Sequence, residues 1–365
     1  MVSAFPFKKK LAFELFRLYR KNSKKIHQLD YIFWECTLRC NLSCLHCGSD
    51  CKKDDLRKDM PVNDFIRAID EIREIVEPNK TQIVFTGGEP LLRKDLEECG
   101  IQLYHRGFPW GIVTNGFLLT QNRLESLLNS GLRVVSVSLD GLNASHNWLR
   151  NNPESFSKAM HSIQLLASVP DFRFDVVSCI NSRNFEELGK LKELLIENKV
   201  KEWRIFTIFP TGRATDNPEL QLSTLQFSQL FDFISETRKE NRIKLNYGCE
   251  GFLGDYEGEV RDGFFFCRAG INIASILHDG SIAACPSIRE SFVQGNIYRD
   301  NFSEIWQKRY KLFRNRDWMK TGECKDCSCF RYCDGNGLHL RDGKNGELKF
   351  CHYKRIQEGK AQGFC

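Results

Sequence analysis

The sequence predicts an α/β fold, an incomplete barrel of six strand–helix units followed by a cysteine-rich C-terminal extension. Two observations carry this. From residue 31 to about 240, short β-branched or aromatic runs alternate with longer amphipathic runs, and near 245 glycine, cysteine and charged residues take over. The 16 cysteines of the 365-residue chain are also unevenly placed: five fall between Cys36 and Cys51, and another group begins at Cys267.

Residues 1–30 form an N-terminal segment in which 10–24 is basic and amphipathic. That pattern suits a helix docked on the barrel, with membrane-surface contact as the alternative. Strands are expected at 31–36, 82–86, 110–114, 134–139, 172–179 and 203–209, each rich in β-branched or aromatic residues. Helices at 62–76, 118–129, 156–167 and 185–197 lie between them, and one at 224–239 follows the sixth strand. Pro61 stands just ahead of the first, where a missing N–H costs nothing. Strands separated by helical crossovers pair in parallel with right-handed connections. A closed eight-stranded barrel takes about 250 residues, so six units over 31–245 imply an open one. Residues 246–365 form the second domain.

Composition narrows the function classes. Hydrophobic residues make up 41% of the chain, enough for a sizeable core, and 28 phenylalanines favour ring packing or an aromatic-lined channel. The run Phe264, Phe265 and Phe266 reads as core. The net charge of +6 is spread along the chain without a dense basic stripe, so nucleic acid is not an expected partner. No run of about 18 apolar residues occurs, so no membrane span is expected. Lys8, Lys9, Lys10, Glu14, Arg17 and Arg20 interrupt any secretory signal. Many thiols in such a chain read as metal ligands in a reducing cytoplasm.

Cys40, Cys44 and Cys47 stand in CNLSCLHC, directly after the first strand. Thiolates are the usual ligands of iron–sulfur clusters, and a cubane takes four. A loop that offers three leaves one iron with an open position, the mark of a reactive metal. Cys36 and Cys51 flank the triplet, so a zinc knot or a disulfide cluster is the alternative. Zinc sites, however, commonly pair two CxxC hairpins, and no partner hairpin lies close by. Parallel barrels collect functional groups at the C-terminal ends of their strands. There TGGEP (from Thr86) closes the second strand, TNG (from Thr114) the third and SLDG (from Ser138) the fourth. Four consecutive strand ends with small or polar residues share one rim.

These motifs resemble those of the radical S-adenosylmethionine (SAM) superfamily, whose core is a partial (β/α)6 TIM-type barrel. The resemblance implies a [4Fe-4S] cluster on Cys40, Cys44 and Cys47 that holds SAM at its open iron. It implies that Gly87, Gly88 and Glu89 receive the SAM amino group, since glycine lets backbone approach a ligand. Glu89 either anchors the loop or takes a charge-assisted bond from the ammonium. Ser138, and Arg150 in the following HNWLR, contact ribose and carboxylate, the latter suited to a guanidinium fork. The alternative for Arg150 is a surface ion pair with a carboxylate such as Glu154. His46 stands where an aromatic is usual and lies near the adenine, on which Ile208, in WRIFTIFPTGRA, would pack.

Further on, Cys267, Gly280, Cys285, the CxxCx5C set Cys324, Cys327 and Cys333, and Cys351 resemble the SPASM extension of peptide-modifying radical SAM enzymes. That extension holds auxiliary [4Fe-4S] clusters, here one or two. Two departures stand out: Gly337 replaces a cysteine of the pattern, and Cys329 is additional. In one register Cys333 completes CxxCx5C. In the other, one cluster takes Cys324, Cys327, Cys329 and Cys351, while Cys267, Cys285 and Cys333 hold another, with Cys249 as candidate fourth ligand. A zinc ribbon is the alternative, because CKDC resembles half a zinc hairpin. Cys99, Cys179 and Cys365 read as bystanders, Cys36 and Cys51 as structural.

The resemblance implies an enzyme that cleaves SAM reductively. Its 5′-deoxyadenosyl radical would abstract hydrogen from a residue of a peptide or protein substrate, giving an oxidised or crosslinked product. An electron donor such as flavodoxin or ferredoxin is implied. The alternatives are a sulfatase-maturing enzyme that forms formylglycine, and a non-catalytic iron–sulfur electron carrier, which would need no GGEP, SLDG and Arg150 pocket. The stretch ahead of Tyr31 is too short to fold as a leader-binding domain, so a peptide would be recognised by the barrel mouth or a separate partner.

Overall fold

A computed structural model describes residues 5–215, 217–248, 250–288, 292–342 and 346–362. The chain opens with helix α1 (Phe7–Ile26) and then alternates: β1 (Tyr31–Thr37), α2 (Val62–Ile72), β2 (Gln82–Gly87), α3 (Leu96–His105), β3 (Trp110–Thr114), α4 (Gln121–Asn129), β4 (Leu132–Ser138). Helices α5 (Asn143–Arg150) and α6 (Ser155–Ser168) precede β5 (Arg173–Ile180), followed by α7 (Leu188–Glu197), β6 (Glu202–Thr207), α8 (Thr224–Glu240) and β7 (Lys244–Tyr247). The extension adds β8 (Ile273–Ile276), β9 (Ser281–Ala283), β10 (Gly295–Asn296), α9 (Phe302–Lys308), α10 (Lys311–Arg314), α11 (Phe330–Cys333) and α12 (His352–Gln362).

Strands β1 to β7 lie side by side in chain order and run parallel. The partial barrel is therefore as expected, and all six expected strands are present. Two more join it. Strand β7 pairs with β6 from Glu202↔Lys244 to Ile205↔Tyr247, across the position where composition places the domain boundary. Strand β8 returns from the extension to pair in parallel with β1, from Tyr31↔Ile273 to Trp34↔Ile276, and β9 and β10 follow antiparallel. Barrel and extension thus share one sheet, with β7 and β10 at its two edges. Strand β7 is only KLNY, and its lysine and asparagine mask the strand signal. Helix α3 is hidden for a similar reason. Its Gly100 weakens helix propensity, yet a Cβ there would lie 2.3 Å from the Trp110 ring, so the glycine lets α3 close onto β3.

Helix α2 buries Val62, Phe65, Ile66, Ile69 and Ile72, the i, i+3, i+4, i+7 face of an amphipathic helix. Phe65 stacks on Trp34 of β1, with centroids 4.0 Å apart and rings 3° from parallel. Truncating either ring to alanine costs roughly 3–5 kcal/mol. On Trp34 also sits the guanidinium of Arg93, 4.8 Å from the ring centroid. It donates to the carbonyls of Cys36 (2.7 Å) and Met60 (3.1 Å) and pairs with Asp95 at 2.7 Å. A buried cation therefore fixes the end of β1, from which the cysteine loop departs.

Helix α1 docks on the C-terminal extension, not on the barrel as its amphipathic pattern suggested. Phe13 packs on Phe252 (5.6 Å) and Tyr332 (5.0 Å), and Phe16 on Phe264 (5.3 Å). Buried Arg20 donates to the carbonyls of Tyr332 (2.6 Å) and Arg331 (3.0 Å). The partner rings come from distant stretches of sequence, which is why the docking face could not be read locally. The Phe264–Phe266 run serves this core, as expected, with Phe265 fully buried. Among the described residues, no helix is long and apolar enough to cross a membrane.

Candidate functional site

The loop after β1 closes on itself, because Cys40 N donates to Lys52 O (3.1 Å) and Lys52 N to Leu38 O (3.3 Å). Leu45 N donates to Leu149 O (2.9 Å) at the end of α5, and Arg213 N to Cys47 O (3.2 Å). Gly212 makes the second contact possible: its φ is +60°, and a Cβ there would stand 2.5 Å from Cys47 O. The loop is thus held by the barrel at several points. It carries Cys40, Cys44 and Cys47 to one cavity of about 230 Å³ at the C-terminal ends of the strands.

Eight of the sequence-predicted residues line this cavity together: Cys40, Cys44, Cys47, His46, Gly87, Gly88, Ser138 and Arg150. Glu89 is not in the lining. It is fully buried and accepts from Thr114 Oγ1 (2.7 Å), Asn115 N (2.8 Å) and Leu91 N (3.1 Å), so its carboxylate ties the end of β2 to that of β3. Burial raises its pKa despite these bonds. Ile208 is not in the lining either. It is buried in a small apolar cluster with Leu149, Ala214 and Leu220.

The two glycines have a role beyond ligand approach. Gly88 N donates to Thr37 O (2.7 Å) and Glu89 N to Arg39 O (2.9 Å). A Cβ on Gly87 would lie 2.1 Å from Thr37 O, and one on Gly88 2.0 Å from Arg39 O. The missing side chains let the GGE backbone brace the root of the cysteine loop. Gly88→Ala is expected to displace that loop and reduce iron loading at the triplet, with the extension's iron retained; iron analysis and absorbance spectra of the purified variant check this.

Arg150 does not form the surface pair with Glu154 that the sequence left open. Its Nε donates to Asp140 Oδ2 at 2.6 Å in the barrel interior, and its Nη1 lies 3.8 Å from Cys44 Sγ. Asp140 is fully buried, and its Oδ1 accepts from Cys179 N (2.9 Å). Burial alone would raise the Asp140 carboxyl, but Arg150, His46 and His146 hold it at about 2. The half-buried His46 has no hydrogen-bond partner at Nδ1 among the described residues. Desolvation, then the charge of Arg150, brings it down to about 4, so its ring is neutral. His46, Asp140 and Cys179 stand close enough together for a single ion. Arg150 already neutralises Asp140 and would repel a cation, so a buried polar cluster is the better description.

Sequence reasoning singled out neither Asn115, Asp140 nor Arg213. Asn115 Nδ2 lies 3.9 Å from Cys40 Sγ and donates to Asn41 Oδ1 (2.9 Å), while Arg213 lines the cavity. All three sit inside the motifs TNG, SLDG and TGRA, which was the available signal. Cys51 also lines the cavity, with its N donating to Cys47 Sγ (3.4 Å), whereas Cys36 is buried and donates to Thr86 O (3.3 Å). Burial pushes the Cys40 thiol up to about 12, and it raises Cys44 as well. Such thiols stay protonated until a metal displaces the proton.

In the extension, Cys267 precedes β8, Cys285 follows β9, Cys324, Cys327 and Cys329 lead into α11, Cys333 ends it, and Cys351 precedes α12. Burial raises the Cys333 thiol, and the nearby Cys351 and Cys324 raise it further; Cys351 in turn feels Cys324 and Cys327. Arg341 Nη2 lies 3.1 Å from Cys324 Sγ. Cys324, Cys327, Cys333 and Cys351 therefore lie near one another. Cys329 is hydrogen-bonded beside Cys327. Cys249 and Cys365 lie outside the described residues.

The model of the radical SAM superfamily matches residues 34–213, and that of an iron–sulfur cluster-binding domain, SPASM, matches residues 267–328. The chain is 30% identical over 314 residues to the mycofactocin maturase MftC of Mycolicibacterium smegmatis, covering 83% of this chain and 76% of that protein. The chain belongs to the radical SAM superfamily. An AdoMet-dependent heme synthase of Methanosarcina barkeri is 28% identical over 326 residues, 83% of this chain and 90% of that protein. The fold matches that of Streptococcus suis SuiB bound to its precursor peptide SuiA, with TM-score 0.70, 17% identity, and coverage of 97% of this chain and 82% of that one. A radical SAM protein with a SPASM domain uses a [4Fe-4S] cluster, SAM and auxiliary clusters. The residues here fit them: three thiols converge on one cavity, with Asn115 and Arg150 aimed at two of the sulfurs, as donors around such clusters are.

Proposed function

We propose that this radical SAM protein abstracts hydrogen from a residue of a peptide or protein substrate, giving an oxidised or crosslinked product. Formylglycine formation on a client protein is one version of that chemistry. The observation that carries the reading is the convergence of Cys40, Cys44, Cys47, Gly87, Gly88, Ser138 and Arg150 on a single rim cavity. An electron carrier needs no such pocket. Cys40, Cys44 and Cys47 would hold the cluster, and Arg150, with its fork oriented by Asp140, the SAM carboxylate. Neutral His46 offers a ring and a free nitrogen to the adenine, and Ser138 a hydroxyl to the ribose. When bound, the cluster and SAM supply the electron and the carbon radical. Flavodoxin or ferredoxin is the kind of donor that would supply the electron.

The maturase relative and the peptide-bound fold neighbour support a peptide substrate. The heme synthase relative, matched over most of its length, favours a porphyrin as the second reading. The experiment is a direct competition. Reconstituted protein, SAM and dithionite are incubated with short peptides encoded beside the gene or with an iron porphyrin, and 5′-deoxyadenosine and substrate masses are followed. A substrate-dependent rise in 5′-deoxyadenosine with a mass change on a peptide is the expected result. A mass change on the porphyrin alone establishes the second reading.

A further inference from the structure

Helix α1 has two apolar faces. One is docked on the extension through Phe13 and Phe16. Along the opposite side Phe7, Leu11, Leu15 and Leu18 follow one another at helical spacing and are 81%, 53%, 61% and 55% exposed. Tyr19 widens this stripe. Scattered apolar residues on a surface are ordinary, but a continuous stripe marks a contact. From Phe7 to Tyr19 it runs about 18 Å at about 1.5 Å per residue, and exposed Asn22 and Lys25 separate it from Ile26.

Charge tells what kind of contact. Lys8, Lys10, Lys21 and Lys25 are exposed. At about 100° per residue, Lys10 and Lys21 fall on one flank of the stripe and Lys8 on the other. Glu14 is the helix's single acid, and it is engaged by Arg17, Arg331 and Tyr332 of the protein itself. The outer face is therefore apolar along its centre and positive at its margins. We propose that the outer face of α1 lies on an anionic phospholipid surface, which makes this a peripheral membrane protein. Leucine and phenylalanine side chains would enter the acyl boundary, and the lysine stems would extend their ammonium groups to the headgroups. No described helix can span a bilayer, so the contact is in plane. Self-association through this stripe is disfavoured, because a two-fold contact would set the lysine rows of two copies against each other.

The test uses the full, iron-loaded chain in vesicle flotation, with phosphatidylcholine alone or with phosphatidylglycerol added. Partition onto the anionic vesicles should be stronger by about tenfold or more and should fall with salt. The Leu11→Glu/Leu15→Glu variant changes only exposed side chains. It should lose that binding while keeping iron content and SAM cleavage. Lys8→Glu/Lys10→Glu should lose the anionic preference. Failure of the wild-type chain to bind anionic vesicles, or equal binding by the Leu11/Leu15 variant, overturns the proposal. A dimer in size exclusion that this variant converts to monomer overturns it in favour of a second copy. Retention of an acidic protein but not of vesicles overturns it in favour of a protein partner.

Discussion

A variant with Cys40, Cys44 and Cys47 all changed to alanine is expected to release no 5′-deoxyadenosine while keeping its fold and the iron of the extension. The three thiols belong to a small cluster with Leu38, Leu42 and Cys51, apart from the main core, so losing them leaves the barrel's packing intact. The stability cost is on the order of 1 kcal/mol per site, against a loss of SAM cleavage that is complete. Iron content separates the two halves of the molecule. Two or three cubanes give on the order of eight to twelve irons per chain, and the variant should hold about four fewer. Residual 5′-deoxyadenosine would place the reactive cluster elsewhere. Stoichiometric zinc with only about four irons in the wild-type chain would make the extension a zinc ribbon.

What the sequence revealed and concealed follows from the range of the interactions involved. The strands and rim motifs are local: each is a run of β-branched or aromatic residues ending in a short polar signature, and the barrel brings those ends together. The reasons behind them are not local. Gly88 is a glycine because Arg39 O, forty-nine positions away, leaves no room for a Cβ. Glu89 reads equally as a loop anchor or a partner of the SAM ammonium until β3 supplies the Thr114 and Asn115 donors that its carboxylate accepts from. Ile208 has the right character for an adenine contact, but the exit of β6 turns it into a cluster with Leu149. The docking face of α1 was hidden for the same reason, since its aromatic partners lie some 240 to 320 residues away. A four-residue strand with two polar residues, as in β7, carries too little pattern to be seen.

Arg150 shows why this matters for experiment. Its alanine variant is expected to bind SAM about 1.5–3 kcal/mol more weakly, the scale of a lost charge-assisted bond, or roughly ten- to hundredfold. The structure adds a second effect. Removing Arg150 strands the fully buried Asp140 carboxylate, and breaking a buried pair from one side costs about 3–5 kcal/mol of stability. Asp140 is held at about 2, below its ordinary 3.8, so its contribution is fully present above about pH 4 and is lost as pH falls through 2. At neutral pH the penalty therefore applies in full. Changing Asp140 to asparagine removes the stranded charge and keeps an acceptor for Cys179 N. Arg150→Ala/Asp140→Asn should then recover most of the thermal stability lost by Arg150→Ala, but none of its SAM affinity. Thermal melts, and SAM titrations at matched iron absorbance, read the two effects separately. Equal SAM affinity in wild type and Arg150→Ala would remove Arg150 from the site. Affinity that returns with stability in the double variant would make its role purely structural.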